Sequence, residues 1–253
     1  MHIQERDTMG GLAKGLLVIE SFSADRPRQT ISEVSQASGL DRATARRCLL
    51  TLAYLGYADY DGKFFTLTPR VLRLGTACLA TMPLPQMVQP LLDQLSNDLG
   101  ESSSVSILDG RDIVYVARAS QRKVMSVSLM PGSRLPAYCT SMGRILLAAM
   151  TDTEARKVLA DSALVQRTRY TFTDPDAIML EIERIREQGY ALIDQEVEIG
   201  LRSIAIPLYD ARGTTIAAMN IGVAATQKSA EQLVQRYLPA MRRVQSELRT
   251  VLR

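Results

Sequence analysis

Three helices are predicted in the first 55 residues, because apolar side chains recur there every three or four positions. The first covers residues 12–22, and its apolar stripe consists of Leu12, Leu16, Ile19 and Phe22. The second covers 33–38, with Ser32 as its N-cap, Val34 and Ala37 facing inward and Gly39 at its end. The third follows the cap Asp41 to about Leu55, and its core-facing stripe consists of Ala45, Cys48, Leu49, Leu52 and Leu55.

A hairpin is predicted directly after the third helix. Two β-prone segments, residues 57–60 and 63–67, flank Asp61-Gly62, a dipeptide that strongly favours a tight turn. Two helices joined by a glycine turn and followed by a hairpin are typical of a winged helix-turn-helix DNA-binding domain. We therefore predict this domain over 1–68, with the helix-turn-helix at about 32–55 and the wing at 57–67.

The remainder of the chain alternates between helical and strand-like patterns. A linker helix over 69–82 ends at a proline-rich boundary, and a second domain of α/β type follows over 83–253. Its helices are predicted at 85–99, 141–150, 175–189 and 229–252, and its strands at 105–108, 113–117, 124–129, 203–209 and 215–222. The predicted fold class is α+β.

Composition narrows the class of protein. With 46% hydrophobic and 23% charged residues in 253, the chain has the make-up of a globular protein with two domains, and no apolar run is long enough to span a membrane. We expect no secretory signal, and three cysteines without a CxxC pair favour a reducing cytoplasm. His2 is the only histidine, which argues against histidine-based triads and zinc sites, so we predict no catalytic residues, metal or cofactor.

The third helix carries a cluster of donors near its beginning. Arg42, Thr44, Arg46 and Arg47 lie in its first two turns, on the side that we assign as opposite the apolar stripe. The first turns of a recognition helix contact base edges, where arginine can bind guanine through two hydrogen bonds and threonine can contact a phosphate or a thymine methyl. Arg28 and Lys63 are candidates for phosphate contacts. The alternative is an ordinary solvated helix face, and the net charge of +3 does not decide between them.

Motifs along nearly the whole chain resemble the IclR family of bacterial transcriptional regulators. They include 31–34, 39–41, 55–57, 132–138, 140–144, 200–205 and 220–222, in the same order and spacing over about 240 residues. One departure is Ala43, where the family often has serine. Residues 118–148 most resemble the branch that controls aromatic-acid catabolism by the β-ketoadipate pathway, the PcaR/PcaU type. The resemblance implies a GAF-like effector-binding domain, double-stranded operator DNA as partner, and a homodimer or homotetramer.

A ligand site is predicted where a helix begins in the second domain. Thr140, Ser141, Met142 and Gly143 precede an apolar run, which places hydroxyls and free backbone N–H groups where they favour an anion. Arg134 is the candidate clamp for a carboxylate. The resemblance implies that the pocket is lined by the 140–143 loop together with Leu201, Ser203, Asn220 and Gly222. The expected effector is a small aromatic or dicarboxylic acid.

Each of these assignments has a plainer alternative. Ser141 can be only a helix cap, Asn220 can satisfy backbone groups, and Arg134 can pair with a surface acid. Cys139 is expected to be a packing residue rather than a redox sensor, and Glu196 and Glu198 to belong to a solvated loop rather than an acid–base pair. Two other classes of protein stay open, a GAF-like enzyme and a protein-interaction module carrying a winged helix.

Overall fold

The computed structural model describes residues 4–23, 25–121, 129–226, 229–249 and 251–252. The chain divides into two compact units, Met1–Ala80 and Thr81–Arg253. The predicted strand at 124–129 lies almost wholly outside the described residues.

The first unit contains three helices, a small sheet and the start of a fourth helix. In chain order, these elements are α1 (Gly10–Glu20), β1 (Arg28–Gln29), α2 (Ile31–Ser38), α3 (Arg42–Tyr54), β2 (Ala58–Tyr60), β3 (Phe65–Leu67) and α4 (Leu72–Thr81). The strands form an antiparallel sheet in the order β1-β3-β2. The hairpin was predicted, whereas β1, which adds a third strand to the wing, was not.

Local capping chemistry sets the ends of the two central helices. Thr30 caps α2 in a reciprocal capping box with Glu33, so the predicted cap, Ser32, is wrong. Gly39 ends α2 at a φ of +70°, a conformation that glycine adopts without the steric cost of a Cβ. The Asp41 carboxylate then accepts a hydrogen bond from the Thr44 N–H at 2.9 Å and starts α3 as predicted.

The core of the first unit lies where α1, α2, α3 and the sheet meet. Its buried apolar residues are Val18, Val34, Ala45, Leu49, Leu52, Ala58 and Phe65. The stripe predicted for α1 is therefore partly wrong, because Leu12 and Leu16 are exposed and Val18 is the buried residue. Leu55 and Ala37 were also expected to face inward and are exposed.

The second unit is the predicted GAF-like α/β domain, built on one six-stranded sheet. Its elements are α5 (Pro83–Leu99), β4 (Ser102–Asp109), β5 (Asp112–Ala119), β6 (Arg134–Pro136), α6 (Ser141–Ala148), α7 (Asp152–Ala160), α8 (Pro175–Gln188), β7 (Ala191–Asp194), β8 (Leu201–Tyr209), β9 (Thr215–Ala224) and α9 (Ala230–Arg249). Neighbouring strands run antiparallel in the order β6-β5-β4-β9-β8-β7. The sequence pattern missed α7, β6 and β7, which are short.

Helices cover both faces of this sheet and give it two cores. On one face, α5 and α9 pack against alternating strand residues such as Val105, Met219 and Ile206. On the other face, α6 and α8 pack against Tyr115, Ala218 and other strand residues. Strands that are covered on both faces show no regular alternation of apolar and polar residues, because the side chains on both faces are buried.

A β-bulge between β4 and β5 changes which side chains share a face. Val105 pairs with Ala117 and Ser106 pairs with Tyr115, so Val116 is an extra residue in β5. Beyond the bulge, Arg118 pairs with Ser104 and therefore points to the same face as Tyr115. Simple alternation would have placed Tyr115 and Arg118 on opposite faces.

Candidate DNA-binding surface and candidate ligand cavity

The exposed side of α3 carries the arginines that were predicted to contact DNA. Arg42, Arg46 and Arg47 are all exposed, and their guanidinium groups make no ion pair within the described part of the chain. They follow the Asp41 cap within the first two turns of the helix, where a recognition helix presents donors to base edges.

Thr44 does not belong to this exposed surface. It is only 8% exposed and lies on the core side of α3. The sequence contained the signal, since Thr44 is one residue before the buried Ala45 and one helical turn before Cys48, so it shares their stripe. The assignment of Thr44 to a DNA contact is therefore corrected to a packing role.

The wing places its two predicted cations differently. Arg28 forms an ion pair with Asp61 and its guanidinium lies 4.2 Å from the centre of the Phe64 ring. Hydrogen bonds from the backbone N–H groups of Phe64 and Lys63, assisted by Arg28, lower the pKa of Asp61 to about 2. Arg28 thus stabilises the turn, and Asp61 compensates its positive charge. Lys63, in contrast, is exposed at the tip of the wing.

A cavity lies between the beginning of α6 and the sheet in the second unit. It holds about 560 Å³ of empty space, part of it open to solvent. Its lining includes seven of the nine predicted effector-binding residues: Thr140, Ser141, Met142, Leu201, Ser203, Asn220 and Gly222. The lining residues that sequence reasoning missed are Ser102, Tyr115, Arg118, Leu129, Leu135, Val197 and Glu198.

The first turn of α6 presents polar groups to this cavity. Thr140 is the N-cap, and its hydroxyl accepts a hydrogen bond from the Gly143 N–H at 3.2 Å. The Ser203 hydroxyl donates to the Ser141 hydroxyl at 2.9 Å, so Ser141 is not the cap but a link between α6 and β8. The N–H groups of Ser141 and Met142 have no acceptor among the residues that the structure describes, and such groups at a helix start favour an anion.

Two predicted effector residues do not line the cavity. Arg134 lies on β6 and pairs with Asp109 at 2.6 Å and Asp112 at 3.4 Å, which is the plainer alternative of a surface ion pair. Gly143 is a packing position, because a Cβ built there would lie 2.2 Å from the Ala137 carbonyl oxygen. Both assignments are corrected accordingly.

The cavity instead contains a different arginine. Arg118 is half-buried on β5, and it donates to the hydroxyls of Ser104 and Ser120, each at 2.9 Å. Burial lowers the pKa of its guanidinium below the ordinary value. The β-bulge that turns Arg118 toward the cavity is not visible in the hydrophobic pattern, so the sequence offered no direct signal for this residue.

A buried ion pair lies behind the first turn of α6. The Arg144 guanidinium donates to the Glu196 carboxylate at 2.8 Å and to the Tyr138 carbonyl oxygen at 2.7 Å. Glu196 also accepts from the Phe172 N–H at 3.2 Å. The prediction that Glu196 belongs to a solvated loop is therefore wrong. Glu196 instead holds the segment that carries Val197 and Glu198 to the cavity.

Cys139 is fully buried beside this ion pair. Burial raises the pKa of its thiol to about 11, so the thiol stays protonated near neutral pH. A redox-sensing cysteine requires the opposite, an accessible thiolate. This supports the expected packing role.

Within the described ranges, no group of three or more histidine, cysteine or acidic side chains is placed to hold a metal ion. In the same ranges, no helix combines the length and the apolar character needed to cross a bilayer.

A helix-turn-helix unit with exposed arginines, joined in one chain to a unit with a ligand-sized cavity, defines a ligand-responsive transcription regulator. Models of two family domains match the chain: the IclR helix-turn-helix domain over residues 11–62 and the bacterial transcriptional regulator IclR C-terminal domain over residues 76–249. The chain belongs to the IclR family and is a transcription regulator, not an enzyme.

Similar proteins include a Pca regulon regulatory protein and two transcriptional regulators of known structure. The Pca regulon regulatory protein of Pseudomonas putida is 46% identical over 236 residues, which cover 93% of this chain and 81% of that protein. A Rhodococcus sp. RHA1 protein classed as a transcriptional regulator is 45% identical with a TM-score of 0.80, over 97% of this chain and 98% of that one. An IclR homologue from Microbacterium hydrocarbonoxydans, solved in complex with 4-hydroxybenzoate, is 25% identical with a TM-score of 0.74, over 95% and 100% of the two chains.

We predict that Gly143→Ala destabilises the second unit. The added methyl group would meet the Ala137 backbone and the Thr140 hydroxyl at 2.2–2.5 Å, and overpacking a rigid site costs roughly 1–3 kcal/mol. Thermal and urea unfolding followed by circular dichroism measure the loss. Gly75→Ala is the control, because its Cβ would meet nothing within 4 Å. A Gly143→Ala protein that melts like the wild type would contradict the packing role.

We predict that Arg144→Met and Glu196→Leu, made separately, each lower the free energy of unfolding by about 3–5 kcal/mol, because each leaves the other charge buried without its partner. The double variant should lose less than the sum of the two. A double-mutant cycle in urea measures this coupling. Arg156→Met is the control, since the Arg156–Asp176 pair is exposed and should change stability little. Additive losses at 144 and 196 would refute the coupling.

Proposed function

We propose that this IclR-family regulator controls genes for the catabolism of aromatic acids and that a small carboxylic acid, bound in the cavity of the second unit, changes its binding to operator DNA. The observation that carries the proposal is the cavity itself, with an arginine, several hydroxyls and the start of α6 in its lining. The Pseudomonas putida relative and the 4-hydroxybenzoate complex support an aromatic acid as effector. A dicarboxylic acid is the second candidate class.

DNA binding is assigned to the exposed side of α3. Arg42, Arg46 and Arg47 supply donors for guanine edges, and Lys63 at the wing tip supplies a phosphate contact. Arg28 is a weaker phosphate candidate, because Asp61 compensates its charge. A protein of this class acts where the operator DNA lies, which in a bacterium is the cytoplasm.

A homodimer or homotetramer supplies the symmetry that operator binding needs. Helix α4 has exposed apolar side chains at Leu72 and Leu74, near the exposed Cys78 and the half-buried Val71. We propose that this helix pairs with its mate. Two α3 helices in successive major grooves would then bind a roughly palindromic operator.

The effector acts by shifting a population between two arrangements of the DNA-binding units. Such a shift needs a ligand that binds one arrangement more tightly than the other, with a coupling of typically about 1–3 kcal/mol. The Arg144–Glu196 pair joins α6 to the segment carrying Val197 and Glu198. An effector that contacts both α6 and this segment therefore acts on two elements that the ion pair holds together.

We predict that Arg46→Ala and Arg47→Ala each weaken specific operator binding by roughly 10- to 100-fold, since each removes a donor to base edges or phosphates. Fluorescence anisotropy on an operator selected from random DNA measures the affinity, and footprinting measures the contact region. Binding of the acid should stay unchanged. Arg156→Ala, an exposed arginine of the second unit, is the matched control.

Wild-type footprints from both α3 variants would remove the assignment of DNA binding to this helix. The salt dependence separates DNA binding from a protein-interaction role, because contacts with phosphates make log K fall linearly with log salt concentration. A flat salt profile would favour the interaction module.

A further inference from the structure

We infer that Arg118 is the carboxylate anchor of the cavity, the residue that binds the acid group shared by aromatic and dicarboxylic effectors. This inference deepens the proposed function and rests on it, because it assumes that the cavity binds a small acid. It assigns to Arg118 the role that the sequence pattern suggested for Arg134.

The side chain of Arg118 is held across the sheet face rather than projected into solvent. It starts on β5 opposite Ser104 on β4, and Ser104 is opposite Asn220 on β9. One terminal nitrogen of the guanidinium donates to the Ser104 hydroxyl and Nε donates to the Ser120 hydroxyl. The two hydrogen bonds fix the plane of the guanidinium and leave donors on its other terminal nitrogen available to a ligand.

Next to Arg118, three small residues on neighbouring strands leave space above this face of the sheet. Ser102 and Gly222 are opposite each other in the next row, and Gly222 is opposite Ser203. All three line the cavity together with Asn220. Small and hydroxyl-bearing side chains on an otherwise apolar sheet face create a concave polar floor, and Arg118 lies at one end of it.

The charge of Arg118 is not matched by a carboxylate in the described residues. Its guanidinium donates to the hydroxyls of Ser104 and Ser120, whereas Arg134, Arg144 and Arg202 of the same unit all pair with acidic side chains. A half-buried cation is costly without a counter-charge, and a carboxylate ligand supplies one through two parallel hydrogen bonds. Glu198 also lines the cavity, and its charge favours placing the acid group at the Arg118 end.

The experiment measures whether Arg118 recognises the acid group itself. Calorimetry on the full-length protein compares 4-hydroxybenzoate with its methyl ester, which has the same ring but no negative charge, and tests adipate as a dicarboxylate. The wild type should prefer acid to ester. Arg118→Gln keeps a hydrogen-bonding side chain without the charge, and it should bind the acid roughly 10- to 100-fold more weakly with little change for the ester. Arg134→Gln is the matched control and should keep the wild-type preference.

Each outcome separates this inference from the proposed function. If the wild type binds neither class of acid, the proposed effector function is overturned and the inference falls with it. If the wild type binds an acid and Arg118→Gln binds it equally well, only the inference is overturned. Operator binding by the variant shows that it is folded. If Arg118→Gln does not fold, Arg118→Lys is tested instead, because a lysine cannot bind a carboxylate through two parallel hydrogen bonds. If that variant prefers acid to ester as strongly as the wild type does, Arg118 is not the carboxylate anchor.

Discussion

The buried contact between Arg144 and Glu196 is the interaction on which the cavity depends. Arg144 is on α6, Glu196 is in the segment between β7 and β8, and their ion pair lies in the interior with the Tyr138 carbonyl and the Phe172 N–H completing its hydrogen bonds. Burying two charges is favourable only when they are paired and their remaining donors and acceptors are satisfied. The pair therefore fixes the relative positions of two elements that have little local reason to lie together.

The sequence predicted the elements with strong local signals. Asp41, Gly39 and the Asp61-Gly62 turn determine structure through short-range hydrogen bonds and backbone conformation, and their consequences in the first unit were predicted almost to the residue. The family resemblance then located half of the cavity lining, seven of its fourteen residues. Long helices such as α5, α8 and α9 were also found, because their apolar stripes extend over several turns.

Where the structure differs from the prediction, the cause is in most cases a contact between residues far apart in the sequence. Strand β1 has two residues and exists because β3 is beside it, so no periodicity could indicate it. The bulge at Val116 reverses the orientation of Arg118, and an arginine near the loop, Arg134, was chosen in its place. Thr44 is a different case. The helical period places it beside Ala45 and Cys48 on the buried side of α3, although its polar side chain favoured a DNA contact.

The extra residue in β5 has a consequence for how this family can diversify. In a regular strand, exchanging one amino acid changes one side chain and leaves its neighbours facing as before. Losing a residue from a regular strand turns every position beyond the loss to the other face, but Val116 has no partner on β4, so its deletion would leave Arg118 opposite Ser104 and keep the positive charge in the ligand chamber. Related regulators can therefore lose one residue from this strand at the bulge and keep the same side chains facing the ligand.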